Sequence, residues 1–331
     1  MSSSPPSRVE SVLRWTDLQE IPSGFGPSVV TLGNFDGVHR GHRALLGTVV
    51  REARARGARA VAVTFDPPPL AVLHPERAPV QIAGVAHRLD LMAGTGLDAI
   101  LVLPFTHELA AMTPHEFVRE VFVDALGATA VVLGTDSRFG VRNSGNIDTM
   151  REIGGTDGFE VVELAAVGET TDGARNWSST HVRALLGEGQ VDRAADILGR
   201  PHRVTGEVVH GKRRGRAMGF PTANLGGTVE GLVPADGVYS GWLERFDLPV
   251  GDPERRLPAA ISVGTNPTFD DVPVRIVEAH VLDRLDLDLY HEQVGVDFVE
   301  RLRGNVRFES VDELLTQIGR DVDASRSILF G

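Results

Sequence analysis

Val29-Val30-Thr31-Leu32-Gly33-Asn34-Phe35-Asp36-Gly37-Val38-His39-Arg40-Gly41-His42 decides how this chain is read. Four apolar or β-branched residues end at a glycine-bearing turn, and a helical pattern follows. Residues 44–56 carry Leu46, Val49, Val50 and Ala53 at helical spacing, with Gly57 as a stop. Ala60 to Phe65 and Ala99 to Phe105 read as further buried strands, as do Thr129 to Leu133 and Phe159 to Leu164. Between them Thr113-Pro114-His115-Glu116 has the form of a capping box with proline at the first helical position. Phe117, Val118, Val121, Phe122 and Leu126 supply that helix with an apolar face. Alternating strands and helices predict an α/β fold: a parallel sheet covered on both sides, Rossmann-like, with ligands beyond the carboxyl ends of the strands.

Past residue 200 the pattern changes. Segments 203–210, 237–245, 258–263, 274–282 and 293–299 read as strands separated by Gly, Pro, Asn and Asp turns. That predicts an antiparallel β-barrel or sandwich. A last helix closes the chain, capped by Ser310 with Glu313 and striped by Val311, Leu314, Leu315, Ile318 and Val322. The expected division is a flexible tail and entry over 1–27, an α/β domain over 28–186, a linker over 187–200 and a barrel domain over 201–331. A length of 331 residues supports two domains, since single cores stop growing at roughly 250–300 residues.

Composition narrows the function. The net charge of −12 argues against nucleic acid and anionic membranes as partners. The absence of cysteine excludes disulfides, thiolate nucleophiles and Cys-ligated zinc. No apolar run approaches the ~20 residues that span a bilayer, and Met1 to Arg8 has no signal-peptide core, so the expected location is the cytoplasm.

In residues 33–42, glycines let a backbone approach a phosphate, and a helix start offers unpaired N–H groups. Two imidazoles three residues apart can donate to a departing pyrophosphate. A strand–glycine–helix turn with one histidine is structural about as often as not, and His-x-x-His also suits a metal, although no third ligand stands nearby. Two histidines, an aspartate and three glycines within ten residues favour phosphate chemistry. The stretch resembles the His-x-Gly-His signature of nucleotidylyltransferases in the form found in bacterial FAD synthetases. The resemblance implies that His39 and His42 contact ATP phosphates and assist catalysis, with Gly33, Asn34 and Asp36 along the nucleotide.

Ser178-Ser179-Thr180-His181-Val182-Arg183 by itself reads as a capped helix start with a solvated arginine. In this company it resembles the same family's Ser-Ser-Thr-x-x-Arg motif, which implies that Ser179, Thr180 and Arg183 bind triphosphate. Two loops resemble the flavin side of the site: Thr64-Phe65-Asp66-Pro67-Pro68-Pro69, and Gly134 to Gly140. Phe65 and Asp136 are the implied flavin-binding positions there. Pro68, Ser137 and Asn146 depart from the family's usual His, aromatic and Asp.

The second constellation lies in the barrel. Gly206, Gly211, Gly215 and Gly219 punctuate a loop with Lys212, Arg213, Arg214 and Arg216, and Phe220-Pro221-Thr222-Ala223-Asn224 follows. The cluster suits ATP phosphates; a solvated hairpin is the plainer reading. Thr222 and Asn224 are two apart, so on an extended segment they share a side, and their neutral oxygens suit Mg²⁺. Glu278 shares one side of its segment with Val274, Ile276 and Leu282; partial burial there would raise its pKa and suit a general base. An arginine salt bridge is the commoner fate of a single Glu. Gly211 to Asn224, Asp236 to Tyr239, Ser262 to Phe269 and Val277 to His280 resemble riboflavin kinases in the family's order. His202 and His291 stand where Tyr and Gly are usual. The resemblance implies ATP binding by Gly211, Lys212, Gly219 and Thr222, Mg²⁺ ligation by Thr222 and Asn224, and Glu278 as the base.

Together these point to the bacterial bifunctional riboflavin kinase/FMN adenylyltransferase (FAD synthetase) family. The implied activity makes FMN from riboflavin and FAD from FMN, with ATP and Mg²⁺; a weak homo-oligomer is compatible with it. Two alternatives stay open: a kinase whose adenylylating half is weak or lost, and a non-catalytic flavin-binding regulator.

Overall fold

The computed structural model describes residues 12–165, 177–210, 219–266 and 274–331. They belong to two compact units, Met1–Pro79 with Val85–Asn176, and Val80–Gly84 with Trp177–Gly331.

The first unit contains β1 (Leu13–Trp15), β2 (Ser28–Leu32), β3 (Arg59–Phe65), β4 (Ala99–Leu103), β5 (Ala128–Gly134) and β6 (Glu160–Leu164). They form one sheet in the order β1-β4-β3-β2-β5-β6, with every pair parallel. Successive side chains face opposite sides, and both sides are buried. Val29, Ala60, Ala62, Ile100, Ala130 and Val132 meet Leu46, Val49 and Ala53 of α1 (Arg40–Arg56). Val30, Val61, Val63, Leu101, Val131 and Leu133 meet Phe117, Val121 and Phe122 on the other side. Around the sheet lie α2 (Pro69–Leu73), α3 (Val85–Ala93), α4 (His107–Ala111), α5 (Pro114–Phe117) and α6 (Ile147–Asp157).

The α/β prediction holds here, and so does the capping box. Thr113 Oγ1 accepts from Glu116 N at 3.2 Å, and Glu116 Oε2 accepts from Thr113 N at 2.8 Å. The helix changes character after one turn, continuing as a π-helix over Val118–Ala125. Within the expected entry over 1–27, the described residues from 12 on include part of the sheet. Leu13 to Trp15 pairs with β4, and the ring centroids of Trp15 and Phe25 lie 4.8 Å apart in the core. A three-residue edge strand is too short to show a period.

The second unit contains β7 (His202–Val209), β8 (Ala223–Glu230), β9 (Gly237–Arg245), β10 (Arg256–Asn266), β11 (Val274–Val281) and β12 (Gln293–Arg303). They close into an antiparallel barrel in the order β10-β11-β8-β7-β12-β9. Closure leaves no free sheet edge. Val204, Val208, Leu225, Leu243, Ile261, Val277 and Phe298 fill the core. Two helices, α7 (Ser179–Gly187) and α8 (Val191–Leu198), add Val182, Leu186, Val191 and Ile197 to that core. The segment 187–200, expected as a Gly-punctuated helical connector, contains α8.

The last helix, α9 (Val311–Phe330), differs from its expected stripe. Val311 is 60% exposed, while Asp321 and Ser325 are buried. Asp321 accepts from Arg303 of β12 at 2.7 Å, so an ion pair holds this helix to the barrel. Ser310 Oγ accepts from Glu313 N at 3.2 Å, whereas Glu313 Oε2 takes the Glu309 N–H.

Candidate active sites

In the first unit, β2 lies between β3 and β5, and the chain runs from β2 towards β3 and later returns to β5. The strand order reverses there, at the kind of crevice where open α/β sheets bind ligands. The turn after β2 carries residues 33–42 into that position. Its backbone is strained: Phe35 has φ 48°, Val38 φ 39° and Gly37 φ 74°. A left-handed β-branched valine is costly and persists only where its surroundings impose it. Phe35 and Val38 are buried in the core on the α1 side, which anchors the turn. A Cβ on Gly33 would meet the Phe35 ring at 3.1 Å.

That anchoring sets the histidines. His39 N-caps α1, its Nδ1 accepting from His42 N at 3.3 Å, so its ring proton sits on Nε2. The two imidazoles stack at 3.6 Å, 18° apart in plane. Burial, then the neighbouring His39, pushes the His42 pKa well below its ordinary 6.5. His42 is therefore neutral near pH 7 and offers one N–H. Its Nδ1 is buried without a hydrogen-bond partner among the described residues. Asp36 is buried in the same turn.

Phe65 ends β3, buried, with its ring edge-on to Phe105 at 5.3 Å. Asp136 is exposed in the turn after β5. Asn146, one of the departures, caps α6: its Oδ1 accepts from Thr149 N at 3.0 Å and Thr149 Oγ1 at 3.1 Å. The amide does the capping of a carboxylate without its charge.

Ser179 and Thr180 open α7, which belongs to the second unit. The cap itself is Ser178, whose Oγ accepts from His181 N at 3.2 Å. Arg183 Nε donates to Val80 O at 3.0 Å.

The barrel carries a cleft of about 990 Å³ lined by Thr222, Asn224, Ser262, Glu278, His280 and Tyr290, among others. Asn224 pairs in register with Glu278, and Glu278 with Ser262. Cross-strand partners share a face, so three adjacent strands present an amide, a carboxylate and a hydroxyl in one row. Glu278 is half-buried, and its strand neighbours Val277 and Ala279 face the barrel core instead. The expected apolar surroundings of Glu278 therefore lie mostly on the opposite face of its strand. Asn224 Nδ2 donates to Thr222 Oγ1 at 3.1 Å and to Thr222 O at 3.2 Å. The Asn224 amide oxygen makes no hydrogen bond among the described residues, which leaves it available to a cation. Gly219 adopts φ 83°. Gly211 and Lys212 lie outside the described residues.

The sequence pattern of the FAD synthetase family matches residues 22–181, and that of the riboflavin kinase family matches residues 198–329. The bifunctional riboflavin kinase/FMN adenylyltransferase of Escherichia coli (strain K12) is 35% identical over 293 residues, covering 88% of this chain and 90% of its own. The chain belongs to the bifunctional riboflavin kinase/FMN adenylyltransferase family. That of Pseudomonas fluorescens is 37% identical over 300 residues, covering 91% and 92%. A crystal structure described as a macrolide-efflux protein from Streptococcus pneumoniae matches with TM-score 0.83 and 31% identity, over 96% of this chain and 99% of that one. As a bifunctional flavin-nucleotide enzyme, the chain carries its adenylylating domain on the parallel sheet and its kinase domain on the barrel.

One position was missed in the sequence. Arg88 of α3 is buried beneath the first site. It belongs to no motif, and an arginine in an amphipathic helix ordinarily signals a solvated face.

Proposed function

We propose that the barrel phosphorylates riboflavin to FMN and that the parallel-sheet domain adenylylates FMN to FAD with release of pyrophosphate, ATP serving both. The functional division is taken as 28–186 and 201–331, joined by 187–200. The observation that carries the kinase half is the row Asn224–Glu278–Ser262, with Thr222 in contact with Asn224. A hydroxyl and an amide oxygen are hard, neutral donors suited to Mg²⁺ that also holds phosphate oxygens and water. Bound there, Mg²⁺ would offset charge on the phosphates as the phosphoryl group moves. Glu278 takes the proton of the ribityl 5′-hydroxyl as its oxygen bonds to the γ-phosphorus and the ADP oxygen departs. Gly211, Lys212 and Gly219 bind ATP phosphates in this reading.

In the first domain the FMN phosphate attacks the α-phosphorus, and pyrophosphate leaves. The helix start at α1 and the N–H groups of His39 and His42 stabilise the developing charge. Gly33, Asn34 and Asp36 lie along the nucleotide; Phe65 and Asp136 bind the flavin side. Ser179, Thr180 and Arg183 hold triphosphate on the strength of their motif. The enzyme acts in the cytoplasm, without nucleic acid or membrane, and associates weakly if at all. No helix among the described residues is long and apolar enough to cross a membrane.

Chromatography of riboflavin, FMN and FAD after incubation with Mg-ATP tests this directly. FMN followed by FAD is expected. FMN without FAD, even from supplied FMN, would reduce the protein to a kinase. Neither product would leave a flavin-binding regulator.

A further inference from the structure

Arg88 is 1% exposed, a full cation in the interior of the first unit. Its Nη1 donates to Asn34 O at 3.2 Å and its Nη2 to Phe65 O at 2.9 Å. Those two carbonyls lie on different turns. Asn34 opens the strained turn that delivers His39 and His42, and Phe65 ends the strand that delivers the Asp66-Pro67-Pro68 loop. Nε has no partner among the described residues. Burial lowers the Arg88 pKa, against the opposing fields of Asp66 and Asp36, yet a guanidinium stays charged at any working pH. Burying a cation is costly, and neutral carbonyls repay it only in part. A methionine would fill the space without that cost. What a methionine lacks is donors that fasten both turns at once.

We propose that Arg88 is a positioning residue for FMN adenylylation, tying the nucleotide-side turn after β2 to the flavin-side loop after β3. This role rests on the adenylylation reading above. The turn is strained and must be held from outside itself, and Arg88 holds it at the residue before Phe35. In-line transfer needs the flavin phosphate and the α-phosphorus to meet within a few tenths of an ångström, and a misplacement of about 1 Å can cost on the order of 10²-fold. The two turns carry the two partners, so their spacing sets that meeting.

The experiment uses the full chain, with FAD formation from supplied FMN and ATP measured beside riboflavin phosphorylation on the same preparation. Arg88→Met should lower kcat for FAD formation on the order of 10–100-fold and raise KM for both FMN and ATP. The kinase rate should be unchanged. Arg88→Lys keeps a donor but lacks the fork that spans both carbonyls, so it should recover only part of the loss, with KM values between those of Arg88→Met and wild type. A purely structural role would lower only the folded fraction, leaving both KM values untouched; that result, or wild-type kinetics in Arg88→Met, overturns the proposal. Should Arg88→Met not fold, Arg88→Gln, which can serve one carbonyl, should show the same KM rise to a smaller degree; wild-type KM values there overturn the proposal. A wild-type chain that makes no FAD sinks the adenylylation reading, and this role with it.

Discussion

Acidification should destabilise the barrel unit through one histidine, His202. His202, at the start of β7, is 2% exposed, and its Nε2 lies 2.7 Å from Leu232 O. Burial, outweighing that hydrogen bond, pushes its pKa from 6.5 down to about 4. A histidine depressed in the fold is neutral there, so its contribution is complete above the unfolded value of 6.5 and is lost as pH falls towards 4. The full effect is ~3.4 kcal/mol, of which ~2 kcal/mol is already gone at pH 5.0 relative to pH 7.5. That is a large share of a typical domain's stability. Gln at this position reaches the same carbonyl with its amide and does not titrate. Urea unfolding at 25 °C, followed by tryptophan emission in a Trp15→Phe background, reports on Trp177 and Trp242 of the barrel unit. Wild type should lose ~2 kcal/mol more than His202→Gln between pH 7.5 and pH 5.0. Parallel losses in the two proteins would refute the argument, because every other titrating group is common to both.

Three further outcomes separate the two sites. Glu278→Gln should lower riboflavin phosphorylation by about 10²–10⁴-fold while FAD still forms from supplied FMN, read by chromatography; parallel loss of both activities would count against separate sites. His42→Ala should cut FAD formation by about 10²–10³-fold with FMN formation intact, measured as pyrophosphate release beside the kinase assay. Thr222→Val keeps the shape and removes the hydroxyl, so the Mg²⁺ needed for half-maximal phosphorylation should rise about tenfold; an unchanged Mg²⁺ titration would remove Thr222 from the cation site.

Much of the fold was legible because its strands are buried in two recognisable ways. In the parallel sheet both faces are covered, so β2 to β5 read as short apolar runs ended by turns. The barrel strands instead alternate, as the burial of His202–Val209 does on every second residue. β8 was missed because Ala223–Glu230 holds two adjacent glycines and little apolar surface. Its register with β11 is nevertheless what brings Asn224 to Glu278. Motifs named the candidate side chains of the barrel, but only the register shows that Asn224, Glu278 and Ser262 adjoin. Arg88 was illegible for a different reason: nothing in a helical pattern distinguishes a buried guanidinium serving two distant carbonyls from an exposed one. Among the departures from the family, His291 acquires a physical meaning. Its φ of 67° shows why glycine is usual there, and its Nδ1 lies 2.9 Å from Glu207 Oε1.

If His42 meets phosphate as proposed, its neutrality in the ligand-free site bears on how that site turns over. An imidazolium would attract ATP before reaction as strongly as it attracts the departing pyrophosphate, and such uniform attraction lowers KM without raising kcat. A neutral N–H gains most where charge grows, at the bridging and leaving oxygens, and lets the product go. Burial does most to keep His42 neutral, and the His39 ring stacked on it at 3.6 Å adds to that. The permanent positive charge of Arg88 is spent on backbone carbonyls and is 1% exposed. On the proposed reading, the site would keep a fixed cation to shape its turns and a neutral His42 to meet the phosphate.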